Sequence, residues 1–222
     1  MVAPVSAEQV DTPEKQRDAE RTRAEILDMA TEEFAERGLA GARVDEIAAR
    51  TRTTKRMLYY YFGSKRGLYL AVLERAYAGI RSLEQDLDVD HLDPVRAVRA
   101  LAELTFDHHD SHPAFIRLVS IENIHHAENL RTSSMLPGLA APAVGVLGGI
   151  LRRGCEVGLF RDDVDELDIH MLISSFCVFR IANRYTFRAV FDRDLQDDGR
   201  RDHYRRMVGD VVVEYLTAHI GR

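Results

Sequence analysis

Two sets of side chains in this sequence have the types and spacing to do chemistry. The first is basic. Arg50, Arg52, Lys55, Arg56, Lys65 and Arg66 follow one another with no acidic residue between Ile47 and Leu73, and Tyr59, Tyr60 and Tyr61 are set among them. Guanidinium and ammonium groups bind phosphate, an Arg or Lys can read guanine through two hydrogen bonds, and tyrosine hydroxyls can donate to phosphate oxygens. The competing reading is a solvated basic face beside an aromatic core. The short-helix spacing of the segment and its lack of acids favour nucleic acid. The second set is histidine: His108, His109, His112, His125 and His126, with Glu122 between them. Imidazoles three and four apart on a helix can hold zinc or nickel. A polar pocket wall with some solvent-facing histidines is the preferred reading, so neither metal nor cofactor is expected. Covalent catalysis has no support. Cys155 and Cys177 fall in helical sequence without a glycine elbow, and no glycine-rich phosphate loop is present. The chain is not expected to be an enzyme.

Helices must position these groups. Ile26, Leu27, Ala30 and Phe34 recur at helical spacing across residues 19–37, and Gly38 suits the stop. Short helices are expected at 44–51 and 54–60, on either side of a tight turn at Thr51, Arg52 and Thr53. This is helix-turn-helix spacing, in which the second helix enters the major groove. Ser64 suits the N-cap of a long helix at 65–87. Pro94 suits the first turn of a helix at 94–110, and further helices are expected at 113–124, 137–158, 166–190 and 200–219. No strand-like alternation is sustained. The expected fold class is therefore all-α with about nine helices. A polar, flexible arm at 1–18 would precede a three-helix domain at 19–67 and a larger helical domain at 68–222.

Composition bounds the rest. The chain has 222 residues, 45% of them hydrophobic, and a formal net charge of -6. That length and mix suit a globular protein with a substantial core. Two cysteines cannot make a disulfide framework. The longest weakly polar run, residues 138–151, is shorter than the roughly 18 apolar residues of a bilayer span. Residues 1–21 lack the apolar stretch of a secretory signal. A cytoplasmic protein without membrane contact is expected. Net charge alone would argue against DNA, but the charge is unevenly spread. Residues 1–67 hold 12 basic and 12 acidic side chains, which leaves 18 and 24 of the totals for residues 68–222. The acidic surplus lies outside the basic run.

Three motifs carry a family resemblance: R-x-x-I-L-x-x-A-x-x-x-F-x-x-x-G at Arg23 to Gly38, D-E-I-A at Asp45 to Ala48, and L-Y-Y-Y-F-G-S-K at Leu58 to Lys65. Together they resemble the DNA-binding domain of TetR-type transcriptional regulators and cover the first third of the chain. The resemblance implies that Thr54, Lys55, Arg56 and Met57 open a recognition helix near base edges, and Thr53 of the turn counts among the DNA-binding residues. It places Tyr59 and Tyr60 at the groove wall, and Tyr61 and Lys65 on phosphates. Leu58 and Phe62 would pack the core. Two residues depart from the family pattern. Arg43 stands where Thr or Ser often caps the second helix, and it would reach phosphate with its charge instead. Arg52 stands where the turn usually has glycine, at a cost of about 1 kcal/mol if its φ is positive.

The resemblance further implies that residues 68–222 bind a ligand and form a homodimer through the last two long helices. Ile169, Leu172, Ile173, Phe176 and Phe179, with Val208, Val211, Val212, Tyr215 and Leu216, supply apolar residues at helical spacing. A two-fold dimer would set two recognition helices roughly 34–36 Å apart on a near-palindrome of double-stranded DNA. Polar residues within apolar stretches are the candidate pocket lining. The ligand-binding set is Phe106, His109, Arg117, Asn123, His126, Phe176, Arg180 and Tyr185, with His108, Asn183, Phe115 and Phe179 as further candidates. The segment from His112 to His126 resembles the pyrimidine-responsive branch of the family more than the drug-responsive one. The expected function is a ligand-responsive regulator, a repressor released from its operator by a small-molecule effector. An architectural DNA-binding protein of the same fold, without a small ligand, is the alternative.

Overall fold

The computed structural model describes residues 13–218. Among these residues there are ten α-helices, one 3-10 turn and no strand. The helices are α1 (Pro13–Gly41), α2 (Val44–Arg50), α3 (Lys55–Phe62), α4 (Lys65–Asp86), α5 (Pro94–Ser111), α6 (Pro113–Ile124), α7 (Leu136–Glu156), α8 (Glu166–Ala182), α9 (Arg184–Phe191) and α10 (Asp198–Thr217). The 3-10 turn is Leu130–Thr132. The count exceeds the expected nine helices because the segment at 166–190 is two helices, not one. Asn183 leaves helical geometry between them and serves as the C-cap of α8 and the N-cap of α9. The 3-10 turn is the other addition. Residues 1–12 of the expected arm lie outside the described residues. Residues 13–18 of the expected arm form the first turns of α1.

Short polar side chains start the helices where backbone N–H groups have no partner within the helix. Thr54 Oγ1 accepts from Met57 N–H at 3.2 Å, and Ser64 Oγ accepts from Gly67 N–H at 2.9 Å. Asp93, Asp165 and Asp197 do the same for α5, α8 and α10. Gly38, at φ 65°, breaks α1 near its end, which a side chain would resist.

The chain divides into two compact units, residues 1–71 and 72–222, with the division inside α4. The smaller unit packs Ile26, Ala30 and Phe34 of α1 with Ile47 of α2, Leu58 of α3 and Leu68 and Tyr69 of α4, all at most 1% exposed. Phe34 and Tyr69 meet edge to face at 5.0 Å. In the larger unit, α5, α7, α8 and α10 close on one core of Val98, Leu101, Phe106, Leu147, Ile150, Ile173, Val208 and Val212. α5 and α10 are also tied by charge. Arg201 and Arg205 donate to Asp107, Asp110 and Glu103 across the pair. No helix among the described residues is long and apolar enough to cross a membrane.

Candidate nucleic-acid interface and inner cavity

The candidate DNA-contacting surface is built from the turn outward. Val44, Ile47 and Ala48 bury one side of α2, and Leu58 buries one side of α3. With those faces fixed inward, helical geometry turns Lys55, Arg56, Met57, Tyr59 and Tyr60 outward, all of them exposed. Tyr60 is the most exposed of the three tyrosines, at 79%. Tyr61 is half-buried, its ring 5.5 Å from Tyr60 and 6.2 Å from Phe62. Phe62 is half-buried rather than a core residue, and the Arg23 guanidinium lies 5.4 Å from its ring centre. Between α2 and α3, Thr51 Oγ1 donates to the Ile47 carbonyl at 2.9 Å, and Thr53 N–H donates to the Ala48 carbonyl at 3.2 Å. Arg52 adopts φ 52°, so it holds the left-handed conformation that glycine would hold without strain.

The basic run does not present its charges equally. Arg50 pairs with Glu32 of α1, and Lys55 Nζ pairs with Asp45 of α2 at 3.2 Å. Lys65 Nζ donates to the Ala40 carbonyl at 3.1 Å. Arg52 and Arg56 are exposed and pair with no acid among the described residues. Arg43 does not cap α2 with its side chain. Its N–H is taken instead by Glu33 Oε1 at 2.9 Å, and its guanidinium stays exposed 3.6 Å from Glu46. Glu33 is buried, and Arg37 stands 3.6 Å from it. Sequence reasoning missed Glu32, Glu33 and Asp45 because it looked for acids only within the run itself.

The ligand-binding candidates fall in three separate places. His109 alone of the eight lines a cavity of about 150 Å³ between α4, α5, α6 and α8. Phe106 and Arg180 pack against each other. Phe106 is fully buried, the Arg180 guanidinium stacks 4.2 Å from its ring centre, and Arg180 donates to Asp110 at 3.2 Å and to the Leu195 carbonyl at 3.0 Å. Phe176 and Phe179 lie with Arg180 along an apolar groove of about 540 Å³ between α8 and α10. The remaining four are exposed and do not line that cavity. Arg117 donates to the Tyr185 hydroxyl at 3.1 Å, Asn123 donates to the Val119 carbonyl at 2.9 Å, and His126 sits at φ 56° in the turn after α6. Long polar side chains on a helix face water as readily as a pocket, and the sequence does not distinguish the two. Of the further candidates, Phe115 lines the cavity, His108 is buried and Asn183 is half-buried at its helix junction.

The cavity takes its other polar lining from residues that sequence reasoning passed over: Arg81 and Glu84 of α4, Thr105 of α5, and His170 and Ser174 of α8. Arg81 and Glu84 form an i, i+3 ion pair with little exposure on either side chain. Burial raises the Glu84 carboxyl, and Arg81 pulls it back. Burial lowers His109 to about 4, as do His170, Arg81 and His112, while the Thr105 carbonyl one turn back pulls the other way. His108 is also lowered to about 4 by burial and by His112, on which it stacks at 4.4 Å. His170 is lowered by burial and by Arg81. These three imidazoles are uncharged at neutral pH.

The histidine set is split. His125 and His126 are exposed, and buried Glu122 accepts from Asn129 and Leu130 to hold the turn that follows them. No group of three or more His, Cys, Asp or Glu among the described residues is placed to hold a metal ion. Burial pushes the Cys177 thiol up to about 12, so it is not a nucleophile at neutral pH.

Residues 26–72 match the family description "Bacterial regulatory proteins, tetR family", and residues 94–212 match "Tetracyclin repressor-like, C-terminal domain". The HTH-type transcriptional repressor NicS of Pseudomonas putida is 36% identical over 198 residues, covering 89% of this chain and 93% of that protein. The HTH-type transcriptional repressor SCO4008 of Streptomyces coelicolor is 29% identical over 199 residues, covering 88% and 97%. The crystal structure of a transcriptional regulator, SCO4942 of Streptomyces coelicolor, superposes with a TM-score of 0.64 at 29% identity, covering 86% of this chain and 97% of that one.

Proposed function

Because this chain belongs to the TetR family of bacterial regulatory proteins, we propose that it is a repressor that binds a near-palindromic operator and leaves it when a small molecule fills the larger unit. Proteins of this family are transcriptional regulators, not enzymes; they bind DNA as dimers and respond to small-molecule effectors. The observation that carries the reading is the outward face of α3, where Arg56, Met57, Tyr59 and Tyr60 are exposed around a single buried Leu58. In the operator complex Thr54, Lys55, Arg56 and Met57 approach base edges. Arg43, Thr53, Tyr59, Tyr60, Tyr61 and Lys65 set the register on the backbone.

The homodimer forms through α8 and α10. Met171 and Phe179 on α8, and Met207, Val211 and Tyr215 on α10, keep 40–64% of their surface exposed at spacings of four and eight. Apolar stripes of this length on two adjacent helices need a cover, and a second copy supplies an identical one. The effector acts through α4, the helix that starts beside the end of α3 and carries Tyr77, Arg81 and Glu84 of the cavity wall. Effector binding stabilises a set of helix positions in which the two reading heads no longer match the operator spacing. The protein works in the cytoplasm, where the DNA is.

The test is binding to the DNA upstream of its own coding sequence. Expected is a sequence-preferring complex of one dimer per site whose affinity falls steeply with salt. Equal affinity for unrelated DNA of the same length contradicts the repressor reading. Occupancy spread over the whole genome would then favour an architectural role.

A further inference from the structure

The 150 Å³ cavity has the size of one ring. A core cavity of about this volume holds a single benzene ring without rearrangement. Its walls are flat on one side. Phe115 meets Tyr77 edge to face at 5.1 Å and His109 at 5.7 Å, so three planar side chains share that corner. Its inner end is polar. His109 is 6% exposed, its ring bonds to the Thr105 carbonyl, and among the described residues its other nitrogen has no hydrogen-bond partner. Buried polar atoms are nearly always satisfied, so the nitrogen left over can receive a polar group of a ligand. Thr105 and Ser174 add hydroxyl oxygens to the same lining.

Charge narrows the ligand further. Among the described residues the cation on the wall is Arg81, and it is already matched by Glu84. The groups around His109 are Tyr77, Arg81 and Glu84 from α4, His108 and His112 at the end of α5, and His170 from α8, with Glu122 of α6 acting on Tyr77. With the imidazoles uncharged, the cavity holds no unbalanced cation to receive an anion, and an anion entering alone would be left desolvated and unpaired. A long acyl chain exceeds a cavity of about 150 Å³, although Ile80, Ile116, Val119 and Val178 give it apolar walls. Tyr77 and Arg81 also line a wider groove of about 380 Å³ beside Leu130, Arg131, Ser133 and Leu136, and the exposed Arg131 stands in that groove, outside the lining of the cavity itself.

We propose that this cavity is the effector site and that it takes a compound with one aromatic or heteroaromatic ring and a hydrogen-bonding substituent, bound against Phe115 with its polar group on His109. The ligand adds no net charge to the cavity. It enters uncharged, or as an anion accompanied by one proton from solvent. This rests on the repressor reading above.

Calorimetric titration of the full-length protein with benzamide, benzoate and decanoate tests it, with operator binding measured on the same samples. Expected is one benzamide per chain with an affinity that does not change between pH 6 and pH 8, values on either side of the 6.5 or so of a free imidazole. Benzoate is expected to tighten about tenfold for each unit of pH lowered over the same interval, through uptake of one proton. Ser174→Phe fills the cavity, and His109→Gln replaces the imidazole by an amide that does not titrate. Both are expected to weaken benzamide about tenfold or more while operator affinity without ligand stays within about threefold. Saturable binding of decanoate that survives Ser174→Phe overturns the ring assignment. Benzoate binding without proton uptake overturns the charge argument. If neither ring compound binds while the operator is still bound, this inference fails alone. If operator binding is itself absent, the repressor reading fails.

Discussion

Arg52 and Arg56 show how differently two neighbouring arginines can be used. Arg56 is exposed, lies in the first turn of α3 and has no acidic partner among the described residues. Its replacement by alanine is expected to cost about 1–3 kcal/mol of operator affinity and to relax the preference at one base position. Lys65→Ala should weaken operator and random DNA alike. A selection of binding sites with each variant separates them, and equal losses on both DNAs for Arg56→Ala would remove its base-reading role. Arg52 holds φ 52°. Arg52→Gly relieves strain of about 1 kcal/mol, partly offset by the greater freedom of glycine in the unfolded chain. The net expectation is a small rise in melting temperature together with weaker DNA binding, since one exposed charge is lost. A fall in melting temperature would show that the turn is not strained. Arg50 and Lys55 look like equal members of the run in the sequence. They are not, because Glu32 and Asp45 reach them from α1 and α2.

Helices explain where sequence patterns were sufficient and where they were not. α4 carries two glycines with opposite demands. A Cβ at Gly67 would stand 2.1 Å from the Phe62 carbonyl oxygen, closer than real atoms approach, whereas at Gly79 nothing lies within 4 Å. Gly67→Ala must push the start of α4 away from the end of α3, at a cost of about 1–3 kcal/mol, and should weaken operator binding with it. Gly79→Ala should stabilise by roughly 0.5–1 kcal/mol. Thermal melts of the two variants should move in opposite directions, and a shared direction would refute the close approach at Gly67. α8 and α10 are apolar on two faces. Ile169, Ile173 and Cys177, with Val208, Val212 and Leu216, turn inward, while Met171, Phe179, Met207, Val211 and Tyr215 turn outward. Periodicity identifies such helices, but it does not say which stripe meets the chain's own core.

At the scale of the molecule, the outward stripes and the buried imidazoles set the expectations. Val211→Glu places a charge in the α8 and α10 stripe without touching the core. It should convert the dimer to monomer in sedimentation and reduce operator affinity, while leaving the helical content unchanged. A dimer of wild-type stability would move the interface elsewhere. His108 and His109 sit at about 4 in the folded protein against about 6.5 for a free imidazole. As pH falls, the unfolded chain takes up protons first. The stability these neutral imidazoles contribute is therefore full above about 6.5 and is lost as pH falls towards 4. Urea unfolding should show a drop between pH 7 and pH 4.5, and His109→Gln should make that drop smaller. An identical pH profile in the variant would mean that His109 is not buried uncharged.

Most of the helices, the turn between α2 and α3, and the exposed face of α3 were legible in the sequence alone. Each depends on local rules: apolar spacing, a capping Ser, Thr or Asp, and a glycine stop, all acting within a few residues. The break at Asn183 was missed because the apolar pattern continues across it. Tertiary structure alone decided which basic groups stay unpaired and which histidine faces a cavity. It also placed Arg81, Glu84, His170 and Ser174 beside His109. Those residues come from helices far apart in the chain, and no local pattern encodes the meeting. Burial and the pairing of charges are properties of packed surfaces, and they exist only once the helices have closed on one another.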